Sequence, residues 1–303
     1  MEPTTGVVIT DPRQSPPGWR GVLGAYVGLT KPRIIELLLI TTVPSMVLAA
    51  GGWPGWRLVA ATLVGGTLSA GGANALNNVI DRDIDQVMKR TSRRPLPRHR
   101  VTPDNAARFG IVLGLAGFLW LWATTNVLAA TISTGALLFY VFVYTLYLKR
   151  ATHQNIVIGG AAGAAPVLVG WAAVTGSVGF PAWILFAVVF YWTPPHFWAL
   201  ALRYRDDYAS VDVPMLPVVA SERRTVLHIL WYSGMLVLVS LTLPLVDPHL
   251  GWIYLAAAVG LGCWFLIDAF RLLRQPGRAM ILFKVSTYYL ALLFAAVWVD
   301  VVV

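Results

Sequence analysis

The chain has 303 residues, 57% of them hydrophobic and only 12% charged, with a formal net charge of +9. A soluble domain of this size carries about 25% charged residues, so this much apolar side chain excludes a single water-facing globule and points to lipid as the solvent. The one cysteine, Cys263, excludes a disulfide framework and a Cys-based metal cluster, and basic residues confined to short loops between apolar runs exclude nucleic acid as the partner of the positive charge.

Residues 1–28 read as a short cytoplasmic tail and 29–303 as one transmembrane domain. The first 20 residues hold Glu2, Asp11 and several prolines. They have neither the apolar stretch of a cleavable signal nor the acid-free, Arg-rich make-up of a transit peptide, which favours a bacterial plasma membrane over an organelle. A spanning helix needs about 20 mostly apolar residues. That window predicts an all-α polytopic membrane protein with nine transmembrane helices, over 34–53, 56–78, 106–124, 126–148, 155–175, 181–202, 226–246, 250–270 and 282–302. The third and fourth runs have almost no linker, and their joint length of about two bilayer crossings predicts a tight hairpin at Thr124–Asn126. Of the 23 Lys and Arg, 22 fall on one side of these spans and only Arg57 on the other. The positive-inside rule makes the basic side cytoplasmic, with the N-terminus there and the C-terminus opposite.

At the basic end of span two, Asn77, Asp81 and Asp85 recur every four residues, with Asn74 one turn earlier and Asp83 pointing away. Steps of four keep side chains on one helix face. Two carboxylates so placed repel each other, and a divalent cation removes the conflict; oxygen-only ligands with room for water and phosphate suit Mg²⁺. The bland alternative, surface pairing of Asp81 and Asp85 with Arg82, Lys89 and Arg90, is outweighed by the full spacing, the membrane setting and the basic loop that follows. That loop, residues 89–97, can both bind phosphate through Arg90 and Arg94 and act as an orientation signal.

Lys149, Arg150 and Arg203 sit at helix ends on the same side, where they either neutralise a diphosphate or mark topology; an i, i+4 pair of Arg203 with Asp207 is the simplest local reading. The loop after span six echoes the loop after span two: Asp206-Asp207, then Pro214 to Pro217, then Ser221-Glu222 opening a helix, against Asp81 to Asp85, Pro95 to Pro97 and Thr102 to Asp104. A duplication of four spans would set both acidic loops around one cavity. Pro194 and Pro195 predict an irregular stretch within span six, ahead of His196, which either packs through a hydrogen bond or ligates haem iron, orients a propionate or relays a proton.

The run Asn77 to Asp85, followed by residues 89–97, resembles the first signature of the UbiA superfamily of intramembrane prenyltransferases. Leu29 to Arg33, Tyr144 to Arg150, Gln154 to Gly160, Gly170 to Gly176, Trp192 to Trp198, and Asp207-Tyr208 with Val213 to Pro217 resemble its haem-farnesylating branch. The resemblance implies a nine-helix bundle with a central cavity open toward the cytoplasmic side and laterally to membrane lipid. It implies Mg²⁺, farnesyl diphosphate and haem B, haem O as product, and a haem A synthase downstream. By position, Asn77, Asp81 and Asp85 hold the metal diphosphate and Asp207 is the main acid of a second site. The chain departs from the family at the second site: Asp207 plus four is Val211, leaving Asp206 and Asp212 as substitutes, and His153 stands where proline is expected. Three rivals remain: a sister enzyme prenylating an aromatic or quinone-precursor acceptor, a secondary transporter, and a non-catalytic haem-binding subunit. Clustering of the acids at one membrane face disfavours the transporter, whose charges sit near the midplane.

Overall fold

The computed structural model describes residues 18–303, and all their regular structure is helical. The tail's residues 1–17, with Arg13, lie outside the described residues. The helices are α1 (Trp19–Thr30), α2 (Pro32–Ala50), α3 (Trp56–Ile80), α4 (Arg82–Val87) and α5 (Pro103–Thr124). Next, α6 (Val127–Leu138) runs through a π-helical stretch (Phe139–Leu148) into α7 (Lys149–Ala151). Then come α8 (Asn155–Thr175), α9 (Phe180–Arg203), α10 (Arg205–Ala209), α11 (Leu216–Val219), α12 (Glu222–Thr242), α13 (Trp252–Arg274) and α14 (Ala279–Val302).

Each of the predicted membrane segments falls on a helix. Seven of these, from Pro103 onward, are long and apolar enough to cross a membrane by length and composition; α2 contributes the shorter apolar run Leu39–Ala50 among the described residues. At 25 residues α3 is long enough, but its Gly, Ser and Asn residues keep it below the same hydropathy. The tail boundary at residue 28 falls inside α1, a docked helix that the apolar window does not register.

Local chemistry sets the helix ends. Thr102 caps α5 through Asn105 N–H with Pro103 in the first turn, and Ser221 caps α12 through Arg224 N–H. The α5–α6 hairpin turns at Asn126, whose Oδ1 accepts from Ala129 N (2.9 Å) while its Nδ2 donates to Ala172 O (2.7 Å). The expected break at Pro194 and Pro195 is absent: α9 is continuous from Phe180 to Arg203. Pro194 and Pro195 withhold their N–H groups from the carbonyls of Phe190 and Tyr191, a loss that membrane helices tolerate without breaking.

Helix α3 meets α5 through small residues. A Cβ on Gly72 would stand 2.7 Å from Gly110 O and 2.8 Å from Gly114 N, and one on Gly117 2.9 Å from Ser69 N. These atoms are backbone and cannot swing aside, so the crossing requires glycine, as at other close contacts of membrane helices. Gly72→Ala is therefore expected to lower stability by about 1–3 kcal/mol through overpacking. Gly66→Ala, at a helical position with open space around it, gains up to about 1 kcal/mol of helix propensity. Thermal unfolding midpoints of the two variants in detergent should move in opposite directions. The main core gathers α8, α9, α12, α13 and α14 around Trp198, Tyr254, Phe265, Tyr289 and Phe294.

Candidate functional site

Helix α3 ends at Asp81, but the helical ladder continues across the joint: Asp81 N donates to Asn77 O (2.9 Å) and Asp85 N to Asp81 O (2.9 Å). The four-residue spacing therefore keeps Asn77, Asp81 and Asp85 together, and all three are at most 2% exposed. Asn77 Nδ2 donates to Asp81 Oδ2 (2.9 Å) and Thr145 Oγ1 (3.1 Å), while its Oδ1 accepts from Lys31 Nζ. Lys149 Nζ reaches Asp81 Oδ2 at 2.6 Å, and Arg94 Nη1 reaches Asp85 Oδ2 at 2.6 Å. Burial, followed by the charge of Arg94, pulls the Lys31 ammonium well below the usual lysine range, against the opposing pull of Asp81 and Asp85. Two carboxylates thus share one buried chamber with three basic side chains. One atom is left over: Asp81 Oδ1 is buried with no hydrogen-bond partner.

The predicted residues divide at this point. The structure brings together Asn77, Asp81, Asp85, Arg94 and Lys149. It does not gather the four predicted metal ligands at one point, and among the described residues no three His, Cys, Asp or Glu side chains could hold one ion. Asp207, on α10, instead clamps the basic loop: its Oδ1 accepts from Lys89 N (3.0 Å) and its Oδ2 from Arg90 N (3.0 Å). The second acidic loop therefore touches the basic loop that follows the first. Asp206 and Asp212 are exposed, so Asp207 is the half-buried acid of its loop. Arg90 Nη2 donates to Tyr208 Oη (3.0 Å), with its guanidinium 5.8 Å from the Tyr204 ring centre and 5.5 Å from that of Tyr208. Burial raises the Tyr208 phenol above its ordinary range.

Arg150 turns its fork away from the chamber to Asp83, at 2.8 and 2.7 Å. Arg203 is exposed and makes no ion pair with Asp207; it lines a separate cleft of about 280 Å³ with Arg205, Pro217, Glu222 and Met280. His196 is buried in the α9–α14 interface, stacked between Trp192 (4.2 Å) and Phe283 (4.3 Å), with Nδ1 2.8 Å from Ser286 Oγ. Those are the surroundings of a packing histidine.

The description of the UbiA prenyltransferase family matches residues 38–299. The chain belongs to the UbiA prenyltransferase family. It is 55% identical over 284 residues to the protoheme IX farnesyltransferase 2 of Saccharopolyspora erythraea, covering 92% of this chain and 87% of that one. It is 52% identical over 294 residues to the protoheme IX farnesyltransferase of Mycobacterium avium, covering 95% and 94%. Among solved structures, a digeranylgeranylglyceryl phosphate synthase superimposes with a TM-score of 0.77 at 18% identity, over 93% of this chain and 99% of that one. A UbiA homologue from Archaeoglobus fulgidus bound to DMAPP and Mg²⁺ gives 0.67 at 15% identity, over 90% and 99%. At such low identity these structures establish the fold.

Within this UbiA-family site, sequence reasoning missed Lys31 and Thr145. Lys31 lies in the Leu29 to Arg33 motif, immediately before the proline that opens α2, and a lysine at that junction was the available signal. Thr145 gave none: it faces Asn77 from the π-helical stretch, where its hydroxyl also donates to Tyr140 O (2.8 Å). The Asp83–Arg150 pair supplies an internal control. Arg150's hydrogen bonds, foremost, push the Asp83 carboxyl down to about 2. This contribution is present above the usual carboxylate range and is lost as pH falls through about 2. Asp83 is 58% exposed, so solvent screens the pair. Asp83→Asn should therefore cost less than about 1 kcal/mol in chemical denaturation and leave prenyl transfer close to wild type.

Proposed function

We propose that this chain transfers the farnesyl group of farnesyl diphosphate to the vinyl group of haem B, with addition of water, releasing haem O and diphosphate. The observation that carries prenyl transfer is the unpartnered Asp81 Oδ1 inside the chamber of Asp81, Asp85, Lys31, Lys149 and Arg94. A buried anionic oxygen without a donor is costly, and a divalent cation satisfies it. Asp81, Asp85 and the Asn77 amide oxygen would hold Mg²⁺, with diphosphate oxygens and water completing the shell. The A. fulgidus homologue, bound to DMAPP and Mg²⁺, supports that reading. The ion would supply Lewis-acid stabilisation of the leaving diphosphate.

The chain's own residues supply the rest. Lys149, Lys31 and Arg94 place fixed positive charge where negative charge grows as the C1–O bond of the farnesyl chain breaks. Arg90, on the loop clamped by Asp207 and stacked against Tyr204 and Tyr208, would meet the diphosphate on the side where the first loop touches the second. The vinyl carbon then bonds to farnesyl C1, and water adds to the cation left on the neighbouring carbon with loss of one proton. Haem as acceptor rests on the protoheme IX farnesyltransferases, which match at more than half of all positions over nearly the whole chain. We place the protein in a bacterial plasma membrane, with the acidic chamber and N-terminus cytoplasmic, the C-terminus opposite, and a haem A synthase receiving the product.

Purified protein given farnesyl diphosphate, Mg²⁺, haem B and 4-hydroxybenzoate together should yield haem O by mass and no prenylated benzoate. Prenylated benzoate without haem O would make it a sister enzyme. Chelation of Mg²⁺ should stop turnover, and added Mg²⁺ should restore it.

A further inference from the structure

Among the described residues, helix α1 leaves an apolar face without a protein partner. Trp19 is 72% exposed, Leu23 55% and Val27 50%. At about 100° per residue these three lie within an arc of about 80°, with Arg20 at the edge of that arc beside Val27 and Gly24 about 60° beyond Val27. The opposite edge, Ala25 and Leu29, is buried against Ala75, Leu96, Val101 and Ala106. The helix cannot roll to hide its exposed face, because its end is stitched to α3: Asn78 Nδ2 donates to Leu29 O (3.0 Å) and Asn74 Nδ2 to Thr30 O (2.9 Å).

We propose that α1 lies in the membrane–water boundary on the side of the acidic chamber, with Trp19, Leu23 and Val27 inserted at the headgroup–acyl junction of the lipid. Three observations select lipid as the occupant. A single residue, Lys31, separates α1 from α2, so the end of α1 is fixed at the level where the membrane helix begins. Tyr26 packs edge-on against Phe109 (5.0 Å, 71°), in the second turn of the spanning helix α5, beside the outward-facing Ile111 and Val112. The exposed face of α1 is therefore continuous with a lipid-facing surface. Arg20 lies over the Trp19 ring, 5.2 Å from its centre, which joins an interfacial aromatic to a cation suited to anionic headgroups.

The test uses full-length protein with Cys263→Ser, carrying one cysteine at Leu23, Val27 or Gly24. Each is labelled with the fluorophore NBD and reconstituted in phosphatidylglycerol–phosphatidylethanolamine nanodiscs. The expected result is blue-shifted emission at Leu23→Cys and Val27→Cys, quenched several-fold more by a shallow nitroxide lipid than by aqueous iodide. Gly24→Cys should show the reverse. Retained turnover shows that the labelled proteins are folded. Iodide reaching all three positions alike would overturn the proposal, as would protection of Leu23 and Val27 from both quenchers, which would mean that protein covers them.

Discussion

Asp81→Asn is expected to reduce turnover by about 10²–10³-fold, the usual loss when one preorganised electrostatic contact to the reacting charge is removed. The substitution keeps size and shape. The buried position already holds one oxygen bonded to Asn77 and Lys149 and a second with no partner. An amide there puts either an N–H where the proposed cation would sit or a second donor against the Lys149 ammonium. On the proposed role of Asp81, binding of Mg²⁺ and of the diphosphate should be lost together. Asp85→Asn should act in the same direction, because Arg94 holds its carboxylate at 2.6 Å in the same chamber. Diphosphate release and haem O mass, measured side by side, report both variants.

Lys149→Met is the second large effect, and it acts on two quantities at once. Its ammonium sits 2.6 Å from Asp81 Oδ2, with the Lys149 side chain 14% exposed and that of Asp81 1%. Removing one partner of such a buried pair leaves an uncompensated charge and typically costs about 3–5 kcal/mol. Turnover should fall by at least about 10²-fold as the leaving diphosphate loses a fixed cation. Lys149→Arg should recover stability better than rate, because a planar fork cannot occupy the position of a compact ammonium. In a double-mutant cycle, Lys149→Met and Asp81→Asn should be strongly non-additive in thermal stability, because each removes what the other compensates.

The membrane helices were legible because lipid imposes length and hydropathy on each segment separately. The hairpin at Thr124–Asn126 was legible for the same reason, with Asn126 supplying a cap that its residue type announces. The acid stripe was readable because a helix converts spacing into a face, and the ladder through Asp81 preserved it. What escaped depends on contacts between segments distant in the chain. Lys31 meets Asn77 across 46 residues, and Asp207 meets Lys89 and Arg90 across more than a hundred. Nothing in residues 205–209 says that the carboxylate would cap backbone N–H groups of a loop that far away. Arg203 and Arg150 were grouped with the diphosphate site because they share its side of the membrane, yet a shared side is not a shared chamber: one faces a cleft by Glu222 and the other an exposed Asp83. The proline pair in α9 misled because the local rule counts lost N–H groups, while the outcome depends on what surrounds the freed carbonyls.

Binding of farnesyl diphosphate, measured by titration calorimetry on purified protein with and without Mg²⁺, tests the chamber most directly. Wild type and Asp83→Asn should bind alike and only when Mg²⁺ is present, whereas the Asp81→Asn/Asp85→Asn double variant should bind at least about 10²-fold more weakly. Equal affinity in the double variant, or binding indifferent to Mg²⁺, would contradict the assignment of these two carboxylates.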